Sequence, residues 1–278
     1  MAAKPYEGGT YELLERLYRE YNRREYVSPD PLEFLYHYDS PADREVVGLI
    51  ASSLAYGRVA SILSSVGRVL SVLGNSPADA LAGSDEHILS GRLYGFVHRF
   101  TACDEMAKFL SGIGRALSVH GSLEALFVSG LGQRAESVPE PDSKRVLEAM
   151  EGFASALLEC SGLESSHLLP RPSRGSACKR LFLYLRWMAR SDDVDPGGWN
   201  GVPPCDIIVP LDTHMFRIAS GLGFVTRKSA DGRAAMEATE GFRRLRPDDP
   251  ARYDFALTRF GIRTGMSVED LLSRFDNR

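Results

Sequence analysis

Apolar residues recur at three- and four-residue steps along nearly the whole chain, and this spacing limits the possible fold more than any other feature. Leu14, Leu17, Tyr18 and Tyr21 share one face of residues 11–21. Val46, Val47, Ile50, Ala51 and Leu54 follow a Ser40-Pro41 start. There serine caps the helix, proline takes its first position, and Asp43 lies near the positive end. Residues 62–73 repeat the pattern up to Gly74, Ser76-Pro77 opens a short helix, and Thr101 with Asp104 predicts a capped helix ending at Gly121. Further helices are expected over 144–160, 176–190, 212–221, 230–245, 250–260 and 268–275, with an exposed loop over 132–143. Only residues 207–209 look strand-like, and three residues make no sheet. The expected class is all-α.

The 278 residues suit one large domain or two closely packed ones, and 44% hydrophobic content is enough to bury a core. No apolar run approaches the ~18 residues of a membrane helix, and no signal-peptide apolar region follows the first residues. A cytoplasmic protein with no membrane partner is expected. Cys103, Cys160, Cys178 and Cys205 lie too far apart for a zinc, redox or iron–sulfur motif. No metal or cofactor is therefore expected, and His214 lacks a second ligand at useful spacing. The net charge of −4 argues at first against a phosphate-bearing partner. Residues 171–190 nevertheless hold six Lys and Arg and no acid, which leaves the rest of the chain at −10. The average conceals a basic segment in an acidic body.

Two features carry candidate chemistry. Lys179 falls in the first turn of a helix within the basic segment, where the positive helix end disfavours a cation. A neutral amine is a good nucleophile for imine chemistry, and an ordinary surface lysine is the alternative. Asp212 stands at a helix N-cap. Such an aspartate is either a structural cap or a carboxylate held rigidly at the edge of a cleft.

The stretch Leu211-Asp-Thr-His-Met-Phe-Arg217 resembles the aspartate-bearing helix start of the helix-hairpin-helix DNA glycosylase superfamily. Tyr253-Asp-Phe-Ala-Leu-Thr-Arg-Phe-Gly261 is similar to a late helix of that group. Lys179 precedes Asp212 by 33 positions, a spacing that looks more like the archaeal 8-oxoguanine DNA glycosylases than endonuclease III. From Tyr11 to Gly265 the chain also resembles a bacterial family known only as a domain of unknown function, through residues 43–59, 176–188 and 210–228.

The glycosylase resemblance implies a two-lobed fold, with one lobe over about 40–175 and the other from 1–39 plus 176–278. It implies a monomer acting on double-stranded DNA with an extruded damaged purine, such as 8-oxoguanine. Lys179 would attack the sugar C1′ and Asp212 would stabilise the developing positive charge, giving glycosylase and AP lyase activity. Asp254 matches an aspartate that contacts the purine, or is a helix-surface or capping residue. Thr258 replaces that family's aromatic neighbour. Phe182 and Trp187 would stack on the base or fill the core. Tyr56 and Arg58, in the bend between two helices, fall where the superfamily inserts side chains into DNA; a buried interhelical tyrosine is the alternative.

The usual glycine-rich backbone hairpin is replaced by Asp195-Pro-Gly-Gly-Trp-Asn-Gly201, where Asp192, Asp193 and Asp195 would repel phosphate. DNA gripping is therefore expected from Arg174, Arg180, Arg217, Arg227 and Lys228. Two other classes remain open: a nucleic-acid-binding module that keeps this fold without chemistry, and a helical scaffold with no DNA role.

Overall fold

A computed structural model of the chain describes residues 8–132 and 143–276. The described chain is mostly helical. Its helices are α1 (Gly8–Tyr21), α2 (Pro41–Ser53), α3 (Val59–Leu73), α4 (Pro77–Ala82), α5 (Glu86–Arg92), α6 (Cys103–His120) and α7 (Leu123–Ser129) in the first half. The second half adds α8 (Ser143–Cys160), α9 (Lys179–Ala189), α10 (Thr213–Gly221), α11 (Gly232–Leu245), α12 (Asp254–Ile262) and α13 (Val268–Asp276). A two-stranded antiparallel hairpin, β1 (Val97–His98) and β2 (Thr101–Ala102), precedes α6. No helix among the described residues is long and apolar enough to cross a membrane.

The helix starts follow their cap chemistry. Ser40 Oγ accepts from Asp43 N, Asp212 Oδ1 from Met215 N and Asp231 Oδ1 from Ala234 N. Each bond satisfies one of the amides that a first helical turn leaves free. Two expectations need correction. Thr101 does not cap α6: it belongs to β2, where its hydroxyl lies 2.8 Å from the Tyr56 hydroxyl. Residues 207–209 form no strand. They are buried in irregular backbone, with Val209 N donating to Thr239 Oγ1 at 3.0 Å. The loop expected over 132–143 lies almost wholly outside the described residues, and Ser143 already begins α8. The short helices α5 and α7 and the 3-10 helix Pro31–His37 carry too few turns for a periodic signal.

The centre of the molecule is α2, in which every residue from 45 to 53 is buried. It packs against α9 and the 3-10 helix Pro31–His37, while α6 packs on α4, α5 and α8. Gly48 permits this approach, because a Cβ there would fall 3.2 Å from the Tyr184 ring. Glu45 is buried with its charge well used. Its carboxylate accepts from the amides of Leu123 and Glu124 at the start of α7 and from Trp199 Nε1. A second layer sets α10 against α11, α12 and α13, and lays α1 across α12.

Candidate active site

The approach to α9 is sharply bent. Cys178 sits at φ 44, in the left-handed region, and its amide donates to Ser176 Oγ at 3.1 Å. That conformation costs a non-glycine residue about 1 kcal/mol. The surrounding loop is held in place by Gly232 N donating to Gly175 O and by a bridge between Ser176 and Asp231. The bend makes Lys179 the first residue of α9. Cys178 is buried, and burial pushes its thiol up to about 11, so it remains protonated and unreactive.

Lys179 Nζ lies 3.9 Å from Asp212 Oδ2. The lysine side chain is 35% exposed and the aspartate 16%, so the pair is reachable yet partly withdrawn from water. While Oδ2 faces the amine, Oδ1 caps α10 through Met215 N at 2.7 Å. The cap thus fixes the carboxylate relative to Lys179. Packing of α10 on α12 needs Gly261, where a Cβ would fall 2.2 Å from His214 Nδ1.

Both residues line an open cleft of about 810 Å³. Tyr56 and Gly57 of the α2–α3 turn, His167 and Pro170, Ser176 and Asp231 also contribute to its walls. Two sequence features about 120 residues apart, the α2–α3 turn and the lysine helix, therefore meet at one cavity. Burial, and then the Arg180 guanidinium, push His167 below the usual imidazole range. It is a neutral polar group at pH 7.

A small cavity of about 60 Å³ behind the pair is lined by Lys179, Asp212, Asp254 and Thr258. Asp254 is buried. Its Oδ2 accepts from Arg186, while Oδ1 has no hydrogen-bond partner among the described residues. Burial pushes this carboxyl up to about 6, against the attraction of Arg186 and with added repulsion from Asp212.

Most of the basic segment has a different role from the expected DNA-facing one. Arg186 is bonded to Asp195 and Asp254, and Arg190 to Asp192, Asp195 and Asp249. Tyr18 donates to Asp192 at 3.0 Å. Arg171 faces Glu151. Asp192 and Asp195 accordingly do not present charge to a phosphate; they neutralise buried arginines, which low-dielectric surroundings require. The glycines after Asp195 are also engaged, since Gly197 N donates to Trp187 O and Trp199 N to Met188 O.

The remaining expected site residues divide clearly. Arg180 is buried, donating to Ser53 O and His167 O with its guanidinium over the Tyr56 ring. Tyr56 itself lines the cleft, but its hydroxyl donates to His98 O at 3.0 Å and its ring is packed between His98 and His167. Trp187 and Phe182 are each 1% exposed in the core, and Phe182 also borders a groove with Ile208 and Met236 that adjoins the cleft at Ser176 and Asp231. Arg217 is bonded to Glu269 and Arg227 to Asp231. Arg58, Arg174 and Lys228 are exposed, with no carboxylate partner among the described residues. His167 and the hairpin turn Arg99-Phe100 escaped the sequence reasoning. Neither sits in a periodic segment, and only their tertiary position near the cleft distinguishes them.

In coarse terms this is a mostly helical protein with an amine and a carboxylate side by side in an open cleft. Residues 30–263 match the family described as Protein of unknown function (DUF2400), and the chain belongs to that family. No curated protein and no solved structure matches the chain.

Proposed function

We propose that this protein is a DNA base-excision glycosylase with AP lyase activity, acting on a damaged purine in double-stranded DNA, with 8-oxoguanine the first lesion to test. The observation that carries this reading is the Lys179–Asp212 pair at 3.9 Å in a cleft large enough for an extruded nucleotide. The resemblance of both segments to the helix-hairpin-helix glycosylases supports it. We treat the two stretches about 40–175 and 1–39 plus 176–278 as its lobes, and the protein as a monomer on DNA.

The chemistry follows from an amine beside a carboxylate. Lys179 Nζ, as the free amine, bonds to C1′ while the glycosidic bond breaks and the base leaves with that electron pair and a proton. Opening of the C1′–O4′ bond, with a proton passed to O4′, gives a protonated imine. Loss of a C2′ proton then expels the 3′-phosphate, and water hydrolyses the imine to restore the amine. Asp212 holds the positive charge that develops at C1′ and accepts the proton of the lysine. Asp254, behind the pair, is the group that would sense the purine edge. Arg58, Arg174 and Lys228 flank the cleft, one or two residues from the lining Gly57, Gly175 and Ala230, and supply phosphate contacts.

Sodium borohydride reduces a protein–sugar imine to a stable amine, so trapping on duplexes with single lesions is the test. A covalent adduct absent from Lys179→Ala is expected. Binding without trapping, with affinity falling steeply in salt, would replace the enzyme by a non-catalytic nucleic-acid-binding protein. An absence of binding at every salt concentration would remove the DNA reading.

A further inference from the structure

The β1–β2 hairpin turns through Arg99 and Phe100 alone. Arg99 has φ 53, at the place where a tight hairpin of this kind normally takes glycine. An arginine kept in that conformation directs attention to what the turn presents. Its neighbour Phe100 is 69% exposed, and nearby Tyr94 and Val97 are also exposed. The tip adjoins the cleft. The Arg99 stem covers Gly57, where a Cβ would fall 2.9 Å from Arg99 Cδ, and Gly57 has φ +101. The Phe100 ring lies parallel to Tyr56 at 6.5 Å and edge-on to His167 at 5.5 Å. Tyr56, Gly57 and His167 all line the cleft that holds Lys179.

Charge decides what this aromatic tip would meet. Arg99 stands at the tip, Arg58 follows the Gly57 that Arg99 covers, and Arg68 reaches the segment leading into β1; none has a carboxylate partner among the described residues. Arg68 is held by the carbonyls of Tyr94 and Gly95, and the Arg99 guanidinium lies 5.3 Å from the Phe100 ring centroid. An exposed ring beside the Arg99 guanidinium, on a surface that carries no carboxylate partner for its arginines, fits a stacked, polyanionic partner. Tyr56 is unsuited to insertion, because its hydroxyl is bonded and its ring packs on His98, His167 and Arg180 within the protein.

We propose that Arg99-Phe100 is the element that enters a DNA duplex beside the cleft, Phe100 stacking in the space left by an extruded nucleotide while Arg99 contacts the flanking phosphate. This inference rests on the DNA reading above and adds the residue that opens the duplex. It transfers the insertion role from the α2–α3 turn to the hairpin, with Tyr56 as the support behind the tip.

The test uses full-length Lys179→Gln protein, which leaves the DNA intact. The probe is a duplex with one tetrahydrofuran abasic residue and 2-aminopurine as its neighbour. Binding is expected to raise 2-aminopurine fluorescence as the step is unstacked. Phe100→Ala should lose most of that rise and about tenfold in affinity, and Phe100→Trp should restore both. Because Phe100 is exposed, the alanine variant keeps its fold, which a circular dichroism melt verifies. An equal rise in Phe100→Ala, or no rise with the native tip, overturns the proposal. Borohydride trapping by the wild type judges the chemistry separately. A fluorescence rise without trapping removes the lyase reading and keeps the tip, whereas trapping without a rise removes the tip.

Discussion

Replacing Asp212 by asparagine separates the two roles of this carboxylate. Oδ1 caps α10 through Met215 N at 2.7 Å, and Oδ2 faces Lys179 Nζ at 3.9 Å. Asparagine caps a helix about as well as aspartate, so Asp212→Asn should change stability by no more than ~0.5 kcal/mol. Asp212→Ala loses the cap and should cost about 1 kcal/mol. With C1′ held next to Nζ, the positive charge that develops there meets Oδ2 at a comparable separation, an attraction worth about 1 kcal/mol in water and about 4 kcal/mol at an effective dielectric constant near 20. The partial exposure of both side chains places the pair between those limits. At 1.36 kcal/mol per factor of ten, Asp212→Asn should slow imine formation on the order of a hundredfold. Urea unfolding midpoints measure the first effect and single-turnover borohydride trapping the second. If Asp212→Asn traps as fast as wild type, the aspartate is only a helix cap and the catalytic argument fails.

Glu45→Ala should destabilise the chain by about 3 kcal/mol or more in urea titrations, since two buried donors and a half-buried one lose their acceptor at once. A loss below ~1 kcal/mol would show that water replaces the carboxylate. Asp254 makes a signed prediction about pH. Its folded-state carboxyl lies at about 6 against 3.8 when unfolded, so the native chain holds this proton more tightly. The cost is absent below about 3.8 and complete above about 6, where it amounts to about 3 kcal/mol, and this contribution to stability falls as pH rises. Asp254→Asn should remove that part of the slope between pH 4 and 6. An unchanged slope would place the titration elsewhere.

The elements legible in the sequence are those with several turns and a strong cap. The Ser40-Pro41 and Asp212 starts are found where spacing and cap chemistry put them, and Lys179 and Asp212 line one cleft. The charge pattern was less informative. Six basic residues without an acid suggest a working face, yet Arg186 and Arg190 are neutralised by Asp195, Asp249 and Asp254 from outside the window. Ion pairing across 59 or 68 positions leaves no local trace in sequence. For the same reason Arg180 read as a surface contact, although two distant carbonyls hold it inside. The hairpin tip was invisible because a two-residue turn has no periodicity. Its Phe100 differs from a core phenylalanine only in being 69% exposed.

Locating the covalent bond tests the central claim most directly. Wild-type protein trapped with borohydride on a lesion-bearing duplex, then digested with nuclease and protease, should yield one modified peptide. The account predicts a reduced sugar remnant on the Nζ of Lys179. A remnant on any other amine, or no adduct with any damaged-purine duplex, would contradict it.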